Sequence, residues 1–286
     1  MIETWLLLAL LAALLHGLVA IVHRHVLHGK GADWQGYTFG YHIISTLFFI
    51  PLLFTEWSPP TAWEPWGLAL FASLVWAASA LTAFKSIRFA EVSLRTPINR
   101  SKLIWSVLFA ALLLGEALTG AKVAGVLLIF LGVVLVSLKT GGRLGGLEDP
   151  GVRLTLLSAF LTGFVLVVDK TAIAFFPASL YGFLMYLLPA FWLALAIPQR
   201  LDKFFQLVKG PLGTWLVLAA VMDAAYYWLL ISALKIADAS LVAPIVEFNV
   251  AIAAIGGILL LGERKDLVRR LVGLAITFLG VYVLGS

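Results

Sequence analysis

Apolar residues fill ten long stretches of this chain, and the connectors between them hold most of its charged residues. A helix needs about 20 mostly apolar residues to cross about 30 Å of hydrocarbon. Membrane strands would be shorter and would alternate apolar with polar positions. The pattern therefore predicts an all-α integral membrane protein with ten transmembrane helices, near 4–23, 38–55, 65–84, 91–114, 119–138, 154–173, 179–198, 212–233, 239–261 and 268–284.

Composition supports a membrane protein and argues against several kinds of chemistry. Hydrophobic residues make up 62% of the 286 residues and charged residues 12%, whereas soluble domains hold about 45–50% and 25%. The chain has no cysteine, and it shows no nucleotide-binding or metal-binding motif. We therefore expect no enzymatic activity, no cofactor and no metal. The net charge of +5 comes largely from short connectors, so it does not predict nucleic-acid binding.

The chain contains two similar halves. Ser-Leu-Arg-Thr-Pro-Ile at 93–98 matches Ser-Leu-Val-Ala-Pro-Ile at 240–245, and Leu-Leu-Leu-Gly-Glu at 112–116 recurs at 259–263. A glycine-rich polar stretch divides the halves, which gives a first repeat at 1–138, a connecting loop at 139–153 and a second repeat at 154–286. Five spans is an odd number, so the second half must be inverted in the membrane, as in many secondary transporters.

These repeated motifs, each followed by a glycine-containing closing span, resemble the EamA-type transporters of the drug/metabolite transporter superfamily. The resemblance covers nearly the whole chain. It implies a 5+5 inverted-repeat bundle with a central cavity, and export or exchange of a small metabolite, amino acid or drug-like solute without ATP. It does not name the solute, and an organic-anion or phosphorylated-metabolite exchanger is the alternative.

Polar residues inside the fourth predicted helix mark a candidate binding site, since ionisable groups in a membrane are costly and usually functional. Arg95, Asn99 and Lys102 share one helix face because they are spaced four and three residues apart. Arg100 lies beside that face, near the membrane midplane. Snorkelling of Arg95 and Lys102 to the surface is the alternative for those two residues.

The repeat adds partners from the ninth predicted helix. It aligns Glu247 with Arg100 and Asn249 with Lys102. Opposite charges at equivalent midplane positions are expected of a site that straddles the two halves. The alternative is a permanent ion pair that joins the halves, because an unpaired buried charge costs several kcal/mol.

The eighth predicted helix carries an acid with two phenolic neighbours. Tyr226 and Tyr227 follow Asp223 by three and four residues on the same helix face. Such an acid could bind an amine or carry a proton, or it could only accept hydrogen bonds from the hydroxyls. Trp76 occupies the repeat position of Asp223, which makes it a candidate cavity residue or a packing residue.

Histidines and two charged pairs are further candidates. His16 and His42 lie within predicted helices, where they could titrate near neutral pH or pack. His23-Arg24 aligns with Asp169-Lys170 near helix ends, which suggests a boundary ion-pair layer or a gate. Pro97 and Pro244 occupy matching positions and predict kinks that could serve as hinges.

Small residues mark helix contacts in the closing span of each half. Gly132 and Gly280 are equivalent in the repeat, and each follows another glycine by seven residues. Such positions allow close helix approach, either within the chain or in a dimer.

Basic residues predict the orientation. Side B, the side of the first connector, holds fourteen of the 20 Lys and Arg residues, and side A, which holds both termini, has three. The positive-inside rule then places side B in the cytoplasm and both termini outside, in a prokaryotic inner membrane. Many relatives have cytoplasmic termini, but here the second connector carries Glu56 and Glu64 and no base.

The expected partners are a small-molecule solute and the lipid bilayer, with protons as a candidate coupling ion and either a monomer or a homodimer as the assembly. An intramembrane enzyme and a channel are the competing classes. The charges do not form the rings that selectivity filters use.

Overall fold

The computed structural model describes residues 3–27, 33–86, 98–137, 148–250 and 267–285. Within these ranges the chain is all-helical and contains no strand. The helices are α1 (Thr4–Leu27), α2 (Trp34–Leu53), α3 (Glu64–Ser86), α4 (Lys102–Leu114), α5 (Gly120–Ser137), α6 (Pro150–Ala172), α7 (Ala178–Ala196), α8 (Arg200–Lys209), α9 (Gly213–Ile236), α10 (Ala239–Val246) and α11 (Leu267–Gly285).

Each predicted span contains one of these helices, and capping explains two displaced boundaries. The Asp33 carboxylate accepts hydrogen bonds from the backbone of Gln35 and Gly36, so α2 begins earlier than the apolar run. Asp149 caps α6 in the same way, and Pro150 follows at the first helical position. Helix α8 was not predicted, because it is short and polar along much of its surface.

In the described part of the chain six helices, α1, α2, α3, α6, α7 and α9, are long and apolar enough to cross a membrane. Shorter apolar helices lie at Lys102–Leu114, Gly120–Leu135 and Leu271–Val283. In α1 the large leucines face outward and the small residues pack inward. The exposed leucines are Leu7, Leu11, Leu14 and Leu18, and the buried residues include Ala9, Ala12, Ala13 and Val19. This arrangement suits a lipid solvent, because small residues let helices approach one another.

The helices pair across the two halves. Helix α1 packs against α9 and α6 packs against α3, while α2 packs against α7 and α5 against α11. In the repeat, α1 corresponds to α6 and α3 to α9, so the first two pairings are equivalent to each other. Because α2 corresponds to α7 and α5 to α11, each of the other two pairings joins a helix to its own equivalent. A side-chain carbon added to Gly132 would lie 2.6 Å from the Gly273 carbonyl oxygen, and one added to Gly280 would lie 2.8 Å from the Ile129 nitrogen. These glycines therefore bring α5 and α11 into near backbone contact within one chain.

Two helices are interrupted at equivalent positions of the repeat. Residues 98–99 and 102–114 are helical, while Arg100 and Ser101 form a turn. Helix α10 ends at Val246, Glu247 and Phe248 form a turn, and residues 249–250 are again helical. Both interruptions fall where the two predicted midplane charges lie.

Proline does not by itself account for the second interruption. Pro244 has no backbone N–H to donate, and its ring crowds the preceding turn, but α10 continues through it to Val246. The expected kink at Pro244 stays a prediction, and the continuous span predicted over 239–261 is broken after it, at 247–248. Pro97 occupies the equivalent place before 100–101 but lies outside the described residues.

Charged residues lock the two halves together at side A. Gly115 ends α4 with a left-handed φ of 68°, and Glu116 follows it. The Glu116 carboxylate accepts hydrogen bonds from the Ala239 and Ser240 nitrogens, at 2.8 and 2.9 Å. These are otherwise unpaired donors at the start of α10. The Leu-Gly-Glu motif of the first half therefore caps the N-terminus of α10 in the second half.

Other contacts at side A involve lysines. Lys122 forms an ion pair with Asp238 at 2.6 Å. Lys170 donates hydrogen bonds to the Leu234 and Ala237 carbonyl oxygens at the end of α9. A cation is favourable there because the carbonyl groups of a helix end carry partial negative charge.

We predict that Glu116→Ala lowers the free energy of unfolding by about 0.5–2 kcal/mol, the usual loss when a helix cap is removed. Glu116→Gln keeps one acceptor oxygen and should lose less. Unfolding in detergent micelles measures both changes. Glu56→Ala, which alters an exposed carboxylate, is the control, and equal losses for Glu116→Ala and Glu56→Ala would contradict the capping role.

Candidate functional site

A cavity with about 1000 Å³ of empty space, part of it continuous with solvent, lies in the centre of the bundle. Helices of both halves line it. The residues of the first half are His16, His23, Tyr41, His42, Trp76, Ser79, Ala80, Ala83, Phe84, Asn99 and Lys102. The residues of the second half are Ser158, Thr162, Met185, Tyr186, Asp223, Tyr226 and Tyr227. A smaller cavity of about 420 Å³ shares Trp76, Lys102, Thr162 and Tyr226 with it and reaches Glu247.

The predicted charge pair forms at the two interruptions. The Glu247 carboxylate accepts from Arg100 at 2.8 Å and from the Lys102 ammonium at 2.7 Å. Only 6% of the Glu247 side chain is exposed, against 16% for each cation. Two cations thus share one carboxylate, and the three side chains together carry a net charge of one positive unit. The Arg100 Nε atom is buried and has no hydrogen-bond partner among the residues that the structure describes.

The two cations differ in their relation to the cavity. Lys102 lines both cavities, whereas Arg100 lines neither. Sequence reasoning placed most weight on Arg100. The structure makes Lys102 the cation that lines the cavities and Arg100 an equally exposed partner of Glu247 that does not line them.

Asn249 extends the charged group towards α1. Its side-chain nitrogen lies 3.3 Å from His16 Nδ1 and donates to the Val246 carbonyl oxygen at 2.8 Å. The His16 ring stacks on Tyr226, with ring centroids 4.2 Å apart. Asn249 and Lys102 occupy equivalent positions in the repeat, but the side chain that Asn249 contacts is that of His16.

Asp223 lies at the other side of the cavity and accepts hydrogen bonds from two tyrosines. The Tyr41 and Tyr186 hydroxyls both donate to Oδ2, the latter at 2.7 Å. Within the described ranges no donor to Oδ1 is found, and Asp223 lines the cavity. The two phenolic neighbours expected from the sequence, Tyr226 and Tyr227, are not its partners, because Tyr226 stacks on His16 and Tyr227 binds another acid.

That second acid is Asp169, for which the sequence suggests a boundary ion-pair layer or a gate. It is fully buried and accepts from Trp76 Nε1 at 3.0 Å, from the Tyr181 hydroxyl at 2.7 Å and from the Tyr227 hydroxyl at 3.0 Å. Both oxygens are therefore occupied. Trp76 is a hydrogen-bond donor in this network as well as a cavity wall.

A signal for this network exists in the repeat. His23 contacts the Tyr37 hydroxyl in the first half, and Asp169 contacts Tyr181 in the second. The two tyrosines open the similar stretches at 37–42 and 181–186.

The other predicted site residues have clear positions. His42 lines the cavity, and its Nδ1 atom lies 2.7 Å from the Thr38 carbonyl oxygen, so one ring nitrogen is occupied within α2. Asn99 lines the cavity. Arg95 lies outside the described residues, as does the side chain of Arg24.

The cavity reaches from the middle of the bundle towards side B. His23, Tyr41, Phe84 and Ser158 lie in the side-B halves of their helices and line it. Residues of the side-A connectors do not line it. At side A the Asp169 network and the contacts of Glu116, Lys122 and Lys170 close the space between the halves.

A model of the EamA-like transporter family matches residues 3–138 and 149–286. The chain belongs to the EamA-like transporter family. The resemblance noted from the repeated motifs is thereby confirmed, and the chain is an integral membrane protein of a transporter family rather than of an enzyme family.

Comparison with solved structures gives the same fold. The superposition on one crystal structure of a protein covers 99% of this chain and 96% of the other chain, with a TM-score of 0.73 and 19% sequence identity. No match was found among curated proteins. This structural similarity shows the fold of the EamA-like chain and nothing about its solute.

Charged, polar and aromatic side chains together line the cavity. Within the described ranges no cluster of three or more His, Asp or Glu side chains could hold a metal ion. Lys102 offers a cation that can exchange partners, and Asp223 offers a carboxylate. Aromatic rings form much of the wall between them, as is usual for small-molecule sites.

We predict that Glu247→Gln lowers the free energy of unfolding by about 3–5 kcal/mol, because it leaves two buried cations without their acid. Asp238→Asn removes the acid of an ion pair in which Asp238 is 48% exposed, and it should cost about 0–1 kcal/mol. Unfolding of both variants in the same detergent tests this. Equal losses would show that Glu247 is not a buried counter-ion.

Proposed function

We propose that this EamA-like protein is a secondary active transporter of a small solute, with ten transmembrane helices in a 5+5 inverted repeat. The observation that carries the proposal is the Glu247 carboxylate, which joins Lys102 and Arg100 where two helices are interrupted beside a central cavity. Interrupted helices that meet near the midplane at a repeat interface are typical of solute sites in secondary transporters.

The solute would bind between Lys102 and Asp223. An anionic group can take the Lys102 ammonium from Glu247, and Arg100 then keeps Glu247 neutralised. Because Asp223 lies in the same cavity with one oxygen available, a cationic group of the solute can bind there. A zwitterionic or anionic metabolite fits this pair of charges. An organic-anion exchanger would use Lys102 without Asp223.

Binding of this kind favours alternating access. A solute shifts a conformational equilibrium only by binding one state more tightly than the other. Since Glu247 and Lys102 belong to different halves, releasing their ion pair weakens one link between the halves. The contacts at side A and the cavity residues towards side B support an assignment of this structure to a state that is closed at side A. If side B is cytoplasmic, this is the inward-facing state.

Asp223 is our candidate for proton coupling. Asp223 is buried, and two hydroxyls donate to one of its oxygens. That oxygen can accept both hydrogen bonds whether the carboxyl group is charged or has bound a proton on its other oxygen. The proton would bind when the solute leaves. Protons therefore remain a candidate coupling ion beside exchange of solute for solute.

We predict that Lys102→Gln abolishes solute uptake into proteoliposomes, while Asp223→Asn reduces uptake of zwitterions more than that of simple anions. The assay would use radiolabelled amino acids and organic acids, with counterflow to separate a carrier from a channel. Lys235→Gln changes an exposed lysine at side A and should transport like the parent. Unchanged uptake by Lys102→Gln would remove Lys102 from the site.

The access state has its own test, which the cysteine-free sequence makes simple. A single cysteine at Ala80 lines the cavity and should react with a membrane-impermeant thiol reagent applied from side B only. Thr61→Cys, in the exposed second connector, should react only from side A. Labelling of the Ala80 site from side A in the absence of solute would contradict the closed side A.

A further inference from the structure

Helix α8 is a ten-residue helix between α7 and α9 whose surface has three distinct sectors. At about 100° per residue, its half-buried or buried residues form one sector, comprising Arg200, Lys203, Phe204 and Leu207. A second sector is apolar and exposed: Leu201 is 54% exposed, Phe205 51% and Val208 37%. The third sector is polar and exposed, comprising Asp202, Gln206 and Lys209.

The buried sector packs on the first turns of α2. The Lys203 ammonium contacts the Gln35 side chain and lies 3.8 Å from the Asp33 carboxylate, which caps α2. A side-chain carbon on Gly36 would lie 2.8 Å from the Lys203 carbonyl oxygen, and one on Gly40 would collide with the Phe204 ring. Helix α8 therefore rests directly on the α2 backbone.

The apolar sector has no cover in the described chain, and its surroundings indicate what covers it. At about 15 Å, α8 is too short to span a bilayer. It connects two long apolar helices whose neighbouring surfaces are also apolar and exposed, with Leu195 of α7 67% and Trp215 of α9 40% exposed. The apolar sector thus continues the lipid-facing surface of the bundle, while the polar sector next to it suits water and headgroups.

We propose that α8 lies in the plane of the membrane interface at side B, with Leu201, Phe205 and Val208 inserted at the boundary of the acyl chains, and that it thereby holds the start of α2 in place. The occupant of the apolar sector is the phospholipid bilayer. An amphipathic helix with an apolar face, a polar face and basic ends is suited to this position. The proposal does not depend on transport activity.

Spin labels measure the depth directly in this cysteine-free chain. The full-length protein would carry single cysteines at Phe205 and, as the matched control, at Gln206, in vesicles of phosphatidylcholine and phosphatidylglycerol. Leu195→Cys supplies a lipid-facing reference. We expect the label at 205 to be accessible to oxygen and shielded from a water-soluble nickel complex, as at 195, and the label at 206 to be accessible to nickel. Leu201→Cys replaces Phe205→Cys if that variant does not fold.

Equal nickel access at 205 and 206 would overturn the membrane contact. Strong spin–spin broadening at 205 would overturn it in favour of a second copy of the chain. Hydrogen exchange then tests the effect on α2. Phe205→Asp should cause a loss of protection of the backbone amides at 36–41 in the same vesicles, and Gln206→Asp should not. Unchanged protection in Phe205→Asp would remove the bracing role.

Discussion

The structure depends on one buried acid that serves two bases. Glu247, with its side chain 6% exposed, binds Arg100 and Lys102 at the place where α10 and the segment before α4 are each interrupted by a turn. A charge buried without partners costs several kcal/mol even after relaxation, so each of these groups needs the others. Because the acid and the bases come from different halves, the same contact that neutralises the charges also joins the halves. A solute that replaces one of these partners would therefore change the charge balance and the contact between the halves together.

The remaining polar contacts surround this centre in an ordered way. Towards side A, Glu116 caps α10 and the Asp169 carboxylate is saturated by three donors, which closes the bundle. Asp223 has donors on one oxygen and lines the cavity. Towards side B, α8 packs on α2, and Ser79 of the first half contacts Ser158 and Thr162 of the second.

Much of this could be predicted from the sequence. Apolar length predicted a helix in each of the ten stretches, of which six are long and apolar enough to span a membrane within the described residues. The repeat offset predicted the Arg100–Glu247 pair, which forms. The partners of Asp169 and Asp223 could not be obtained in this way, because helix-face spacing relates neighbours on one helix, whereas Tyr41, Tyr181 and Tyr186 come from others. Helix α8 was missed because its apolar residues are too few to stand out beside the spans. The interruption at Glu247 was expected only as a proline kink.

We propose the cavity between Lys102 and Asp223 as the solute site of this EamA-like transporter. Ligand-dependent thermal stability tests this proposal most directly, because a solute that binds the folded state raises its melting temperature. The purified protein and Lys102→Gln would be screened side by side against amino acids and organic acids. We expect a solute that raises the melting temperature of the parent protein increasingly with its concentration and leaves that of Lys102→Gln unchanged. An equal rise in both proteins would place the binding site elsewhere.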